Sequence, residues 1–410
     1  MIIRFLLRGG GLGAKFLLVI AIGKFLGMPA MATYGLTVAI SVIASKVLGL
    51  GFSFEVNRLV SSGECGMEIP FRSLTICAIV AVCVSVAAVA LTPYFSFTLD
   101  RQSAAIIAAT VITEYISFEV NTLVFSAHRS SLGAVLMFLK TGVWAGVAVL
   151  GLWLKLIYSI EQVLILWMLC NLAVLFWGMI VLIRFLPIKS GSGRIIGVLK
   201  RGFPFYVASI FISLAQYVDR FVVARYSNPY ELGGYIYAWQ IANVVQTLTY
   251  AVVTTVAIPS LAASAREMLS KGSVFTNLFC SKWMFVNIVV SSSVLLLLMG
   301  FYFLSSHYGE GRIRLPELQI LIVLGVSFIV RSMSDVLFGG LIASGNRLPA
   351  IFSSGVGLIF SIIIYIVFTS RYGVAGAAIA NLVAAAFAVL SVYFSLKFFI
   401  SDPAIERRDV

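Results

Sequence analysis

Of the 410 residues, 61% are hydrophobic and 11% charged, about half the charged share of a water-soluble globular chain, which excludes a surface of ordinary polarity and places the chain in a membrane. The net charge of +13 is spread along the sequence and not gathered in one patch, so nucleic acid is excluded as a partner and membrane topology accounts better for the basic residues. Five cysteines without a CxxC pair exclude a disulfide framework and a zinc site of that kind.

A spanning helix takes about 20 mostly apolar residues, and twelve are predicted, at 9–27, 31–54, 73–95, 102–125, 131–154, 160–186, 203–226, 231–258, 277–304, 317–343, 348–370 and 374–400. The opening "MIIRFLLRGGGLGAKFLLVIAIGKFLG" has the basic-then-apolar order of a secretory leader. It lacks a small-x-small cleavage site before the next span, so it reads as the first helix. Within it, "GGGLGAK" is not a phosphate loop, because that motif needs glycine before the lysine and Ser or Thr after it, where this chain has Ala14 and Phe16. The spacings Gly9/Gly13, Gly23/Gly27 and Gly142/Gly146 predict close helix packing.

"PIKSGSGRIIGVLKRG" (187–202) is basic and rich in glycine and serine, and follows the sixth span. It divides the chain into an N-terminal lobe (1–186), a cytoplasmic linker (187–202) and a C-terminal lobe (203–410). "LLRGG" before the first span returns as "LKRGF" before the seventh, and "SAHRSSLGAVLMF" (126–138) is echoed by "SGNRLPAIFSSGV" (344–356). Six helices per half make both halves enter from the same side, a parallel repeat about an axis along the membrane normal. The predicted fold is an all-α polytopic membrane protein with about 12 transmembrane helices in two pseudo-symmetric six-helix lobes around a central cavity. With the N-terminus inside, 17 basic residues fall in the inner connections and adjoining span ends and 7 in the outer ones, the bias expected when both termini are cytoplasmic.

Nine ionisable residues lie within the spans more than five residues from either end: the bases Lys15, Lys46, Lys140, Arg220 and Arg331, and the acids Glu114, Glu119, Asp219 and Asp335. Each costs at least ~2.5–3.5 kcal/mol at the bilayer centre, so none is expected to face lipid. Of the six helices that carry them, 1 and 7 form one repeat-related pair and 4 and 10 another, as a polar cavity shared by the two halves requires. Adjacent helical residues point about 100° apart, so Asp219 and Arg220 do not simply neutralise each other. Either Arg220 snorkels to the interface, or one of the two meets a charge on another helix while the other lines the cavity. Arg331 and Asp335, at i and i+4, can form an intrahelical ion pair. Five bases against four acids permit an anionic ligand without requiring one.

Tyr217, Tyr235, Tyr237 and Trp239 are placed at the outer end of the seventh and eighth spans, as interface anchors or as stacking faces for sugars. His128 and His307 lie in opposite loops without companion ligands, so no metal and no cofactor is expected. No nucleophile, base and orienting group come together as an enzyme needs.

The stretch "GFPFYVASIFISLAQYVDRFVVARYSNPYELGGYIYAWQIANVV" carries Pro204, Asp219, Arg220, Gly233 and Tyr235, with Pro259 after it. Together with "TYGLTVAISVIASKVLGLGFSFEVNRLV" (Tyr34, Gly49, Gly51, Arg58) and "YGVAGAAIANLV", it resembles the polysaccharide flippases of the multidrug/oligosaccharidyl-lipid/polysaccharide (MOP) exporter superfamily over nearly the whole chain. The resemblance implies a Wzx-type O-antigen flippase: a multi-pass protein of the bacterial inner membrane that moves an undecaprenyl-pyrophosphate-linked oligosaccharide to the periplasmic leaflet. Alternating access coupled to an ion gradient is the implied mechanism. The lipid bilayer, the polysaccharide polymerase and the chain-length regulator are the implied further partners. Under it Lys15, Lys46, Lys140, Arg220 and Arg331 attract the head group, while Glu114, Glu119, Asp219 and Asp335 hold those bases or carry a coupling ion. Twelve helices set the chain apart from the usual fourteen of lipid II flippases, and Lys15 stands in helix one, where multidrug exporters often carry an acid. A cation-coupled drug exporter of the same superfamily and a non-transporting scaffold of a polysaccharide assembly complex are the alternative readings.

Overall fold

A computed structural model describes residues 2–63, 66–91, 101–185, 195–254, 281–308, 316–343 and 347–400. Cys65, Cys280, Pro259, linker residues 187–194, residues 344–346 of the second echo motif, and the ends of the third, eighth and ninth predicted spans lie outside the described residues. Every regular element among the described residues is helical.

The chain begins with α1 (Ile2–Ala21), which runs through a π-helical turn (Ile22–Leu26) to Gly27. There a φ of +87°, open to glycine without steric cost, ends the first span. Pro29 in the first turn of α2 (Met28–Leu48) starts the next, since a missing N–H is harmless at that position. The elements that follow are α3 (Phe52–Ser61), α4 (Glu68–Leu91), α5 (Arg101–Ser126), α6 (Ser130–Phe138), a π turn (Leu139–Val143), α7 (Trp144–Trp153) and α8 (Ile160–Phe185). Then come α9 (Ile195–Tyr226), α10 (Pro229–Ala242), α11 (Val244–Thr249), a π turn (Tyr250–Thr254), α12 (Lys282–Tyr308), α13 (Leu318–Ala343) and α14 (Arg347–Ile400).

Among the described residues, ten segments are long and apolar enough to cross a membrane. One of them, Pro349–Ser395, has 47 residues and holds the last two predicted spans. Gly373, at φ +57° and ψ −138°, breaks its helical geometry. Residues 229–254 of the predicted eighth span run as α10, α11 and a π turn, with Asn243 and Tyr250 at the junctions in helical backbone geometry. Asn228 caps α10, its side chain accepting from the Glu231 amide, and hydrogen bonds from the Asn243 amide to the Trp239 carbonyl and from the Thr247 amide to the Asn243 carbonyl carry the helical path through Asn243. The helix of the seventh span begins at Ile195, so residues 195–202 of the predicted linker are helix, while its apolar spanning part is Tyr206–Tyr226. Their basic and glycine residues read as loop, but Val198 is buried and gives the first turns an inward side.

Two compact units divide the chain, Met1–Ile210 and Phe211–Val410, with the boundary inside α9. In the first, Tyr115, Val120 and Leu123 of α5 pack with Val56 of α3, Leu136 of α6 and Val174 of α8. In the second, Val222 of α9 packs with Tyr365, Ala380 and Ala384 of α14. Large apolar side chains also point outward, among them Phe176, Trp177, Leu296 and Leu297, as lipid-facing surfaces do. Lipid is as apolar as leucine, so burial alone does not drive helices together and close packing with polar contacts does more of the work.

One such contact is the crossing of α1 over the π turn that follows α6. A Cβ on Gly11 would stand 2.8 Å from Thr141 Oγ1, and one on Gly142 would stand 3.0 Å from Gly11 Cα. Gly9, Gly13 and Gly146 face open space. For the Gly9/Gly13 and Gly142/Gly146 spacings the pattern therefore points to the right helices but, apart from Gly142, to the wrong glycines, since only the residue at the point of closest approach must lack a side chain.

Candidate functional site

The first unit gathers four of the expected charges. The Gly11–Gly142 crossing brings Lys15, one turn beyond Gly11, and Lys140, in the π turn, toward α5. Lys140 Nζ lies 2.8 Å from Glu114 Oε1 and donates to the Glu114 carbonyl at 2.7 Å and to Ser117 Oγ at 2.9 Å. Glu114 Oε2 accepts from Trp167 Nε1 at 2.9 Å, and Lys15 lies within its electrostatic reach. Ser117 Oγ reaches Asn171 Oδ1 at 3.2 Å. Trp167 stacks on Trp144 with ring centroids 5.0 Å apart, and the Trp144 indole donates to the Lys140 carbonyl at 2.7 Å. Lys46 and Lys140 each hold their ammonium 5.7 Å from the Phe118 ring centroid. Three donors exhaust an ammonium, so Lys140, 2% exposed, is committed to protein. Lys15 and Lys46 are only half-buried.

Glu119 lies within electrostatic reach of Lys140. It is buried and, with Tyr115 and Cys77, lines a cavity of about 10 Å³, room for one water at most.

In the second unit Asp219 and Arg220 are both fully buried. Asp219 accepts from Tyr235 Oη at 2.7 Å and from the Arg220 amide at 2.9 Å, with Arg331 in electrostatic reach. The Arg220 guanidinium lies 4.1 Å from the Trp239 ring centroid and 4.6 Å from that of Tyr217. Snorkelling is thereby ruled out for Arg220. Tyr235, Tyr237 and Trp239 are not interface anchors or open sugar platforms either, being at most 1% exposed. The Trp239 face is taken by a guanidinium and the Tyr235 phenol by a carboxylate. A desolvated cation over aromatic faces contributes up to ~2 kcal/mol, and lysine lacks the planar group that stacks. Arg220→Lys is therefore expected to lower stability by about 1–2 kcal/mol, read as a fall in Tm of the purified protein; an unchanged Tm would remove the clamp as a stabilising contact.

Arg331 and Asp335 do not form the intrahelical pair that their spacing allows, and no ion pair joins them among the described residues. Both line a cavity of about 250 Å³ within the second unit, with Gln216 of α9, Gln246 of α11 and Ser361 and Ser391 of α14. Asp335 Oδ2 accepts from Gln246 Nε2 at 2.7 Å. Arg331 Nη1 and Gln246 Oε1 are buried and have no hydrogen-bond partner among the described residues. Ser361 and Ser391 donate to the carbonyls of Gly357 and Ala388 at 2.7 and 2.8 Å, which leaves their lone pairs free to accept.

Sequence reasoning thus singled out the charges but missed the neutral groups that complete both clusters: Ser117, Trp167 and Asn171 in the first unit, and Gln216 and Gln246 in the second. An amide left unpaired inside an apolar stretch costs a few kcal/mol, less than a charge but enough to demand a partner, and that was the available signal.

Residues 1–265 match the family described as polysaccharide biosynthesis protein. No curated protein matches the sequence. Among solved structures the chain is similar to the lipid II flippase MurJ in an inward closed conformation, with a TM-score of 0.74 and 15% identity over 97% of this chain and 88% of that one. It is also similar to an inward-facing multidrug resistance MATE transporter of the MOP superfamily (TM-score 0.69, 14% identity, 97% of this chain and 96% of that one). A MOP superfamily transporter from Pyrococcus furiosus gives a TM-score of 0.61 at 14% identity over 97% and 93% of the two chains. At these identities the likeness is one of fold.

Proposed function

The chain belongs to the polysaccharide biosynthesis protein family, and from that premise we propose that it is a flippase for an undecaprenyl-pyrophosphate-linked O-antigen or related polysaccharide repeat unit. It carries this lipid from the cytoplasmic to the periplasmic leaflet of the bacterial inner membrane by alternating access, drawing on an ion gradient, with both termini in the cytoplasm. No bond is made or broken.

The observation that supports this reading best is the cavity of the second unit. A guanidinium, a carboxylate and two amides in a segment otherwise suited to lipid each carry a desolvation cost, and an anchor or scaffold gains nothing from them. A carrier of a hydrated head group needs such groups to replace water, while the polyprenyl tail can stay in hydrocarbon. On this reading Arg331, Lys15 and Lys46 meet the head group. Arg220 and Lys140, held by their own partners, position helices. Glu114, Glu119, Asp219 and Asp335 hold the bases or carry the coupling ion.

Deletion of the gene is expected to abolish long-chain surface polysaccharide and leave drug sensitivity unchanged. Wild-type protein should restore the polymer. Arg331→Ala, at normal membrane abundance, should restore a tenth of it or less, since a hydrogen bond to a charged group is worth about 1.5–3 kcal/mol. Polymer that survives deletion, with altered drug sensitivity, would overturn the reading in favour of an exporter.

A further inference from the structure

The wall of the second-unit cavity has a mixed character that says which part of the head group it takes. Arg331 and Asp335 stand one helical turn apart on α13 and both line it, so its formal charge is near zero. They do not consume each other. Arg331 Nη1 has no partner among the described residues, and Asp335 offers its second oxygen beside the one that Gln246 holds. Gln246 Oε1 adds a neutral acceptor, and the lone pairs of Ser361 and Ser391 add more. Tyr250 and Phe338 supply apolar surface to the same wall.

A diphosphate is made of acceptors alone. It would satisfy Arg331 but would press its charge against the Asp335 carboxylate and oxygens that have no proton to give. A sugar ring is different, because each hydroxyl both donates and accepts and its C–H face suits an aromatic side chain. The cavity volume of about 250 Å³ is far more than one water needs and has room for a sugar ring.

We infer that this cavity is a sugar subsite: it takes one pyranose of the head group, with one hydroxyl donating to Asp335 and a neighbouring one accepting from Arg331, and leaves the diphosphate to other groups. The inference rests on the flippase reading and refines it.

The test uses the full-length protein in nanodiscs and two probes, undecaprenyl pyrophosphate and the same lipid carrying a single hexose, with binding followed by tryptophan fluorescence. Asp335→Asn is expected to weaken binding of the glycosylated lipid tenfold or more and that of the bare lipid less than twofold. Gln246→Leu, which keeps both charges, should show the same contrast and serves if Asp335→Asn does not fold. No change, an equal loss on both lipids, or tighter binding of the bare diphosphate overturns the sugar subsite and leaves the flippase reading in place. Failure of the wild-type protein to bind either lipid overturns the flippase reading and the subsite with it.

Discussion

Lys140→Ala is expected to cost about 3–5 kcal/mol of stability, the scale seen when one partner of a buried ion pair is removed, whereas Lys140→Met combined with Glu114→Gln should recover most of it. The asymmetry follows from what each change leaves behind. All three ammonium donors are engaged at 2.7–2.9 Å. Without them the Glu114 carboxylate keeps the Trp167 indole and the more distant charge of Lys15, too little to offset its desolvation. The double variant buries no charge at this pair, and the thioether and amide fill nearly the same space. Unfolding followed by tryptophan fluorescence reports on the cluster directly, because the stacked Trp144 and Trp167 lie against it. A double variant no more stable than the single one would show that the pair is not what holds these helices. A single variant as stable as wild type but unable to transport would make Lys140 a substrate ligand.

That prediction depends on a partner set that only part of the sequence discloses. Hydropathy places the helices because a spanning segment must be apolar over a fixed length, and a charge within it must face protein or water wherever the helix lies. Hence Lys140 and Glu114 are legible as residues that need a partner. That they find each other is not, because it depends on the rotational phase of α5 against the helix that carries the π turn. The same limit explains Gly11, which stands at the crossing while Gly9 and Gly13 do not. Residues 229–254 show another limit: the segment is apolar enough for one span, but the Asn228 cap that starts its helix and the π turn at Tyr250–Thr254 are local backbone events that a window average hides. The cavity in the second unit was half visible. Arg331 and Asp335 marked it, yet the i, i+4 spacing suggested a self-neutralising pair, and only the competing amide of Gln246 turns Asp335 away.

Gly202→Ala is expected to be among the most damaging single methyls at the described positions. Gly202 lies in the first turns of α9, where its backbone meets the corner between α2 and α3. The corner itself needs a positive φ of +78° at Gly51, which a side chain rarely adopts. A Cβ on Gly202 would fall on the Gly51 carbonyl oxygen, well inside contact distance, and 3.0 Å from the carbonyl carbon. Both obstructing atoms belong to backbone, so no rotamer change relieves them. The start of α9 must instead lift away, breaking the hydrogen bond from Tyr206 Oη to the Val47 carbonyl at 2.9 Å. Overpacking of a flexible core costs about 1–3 kcal/mol, and a backbone-to-backbone clash belongs above that range. Membrane abundance should fall several-fold, with early aggregation in detergent. Gly197→Ala is the control, on the same helix but facing open space, and there the substitution should be neutral or stabilising by up to ~1 kcal/mol, the helix propensity difference. If Gly202→Ala and Gly197→Ala prove equally tolerated, α9 does not dock on the α2–α3 corner.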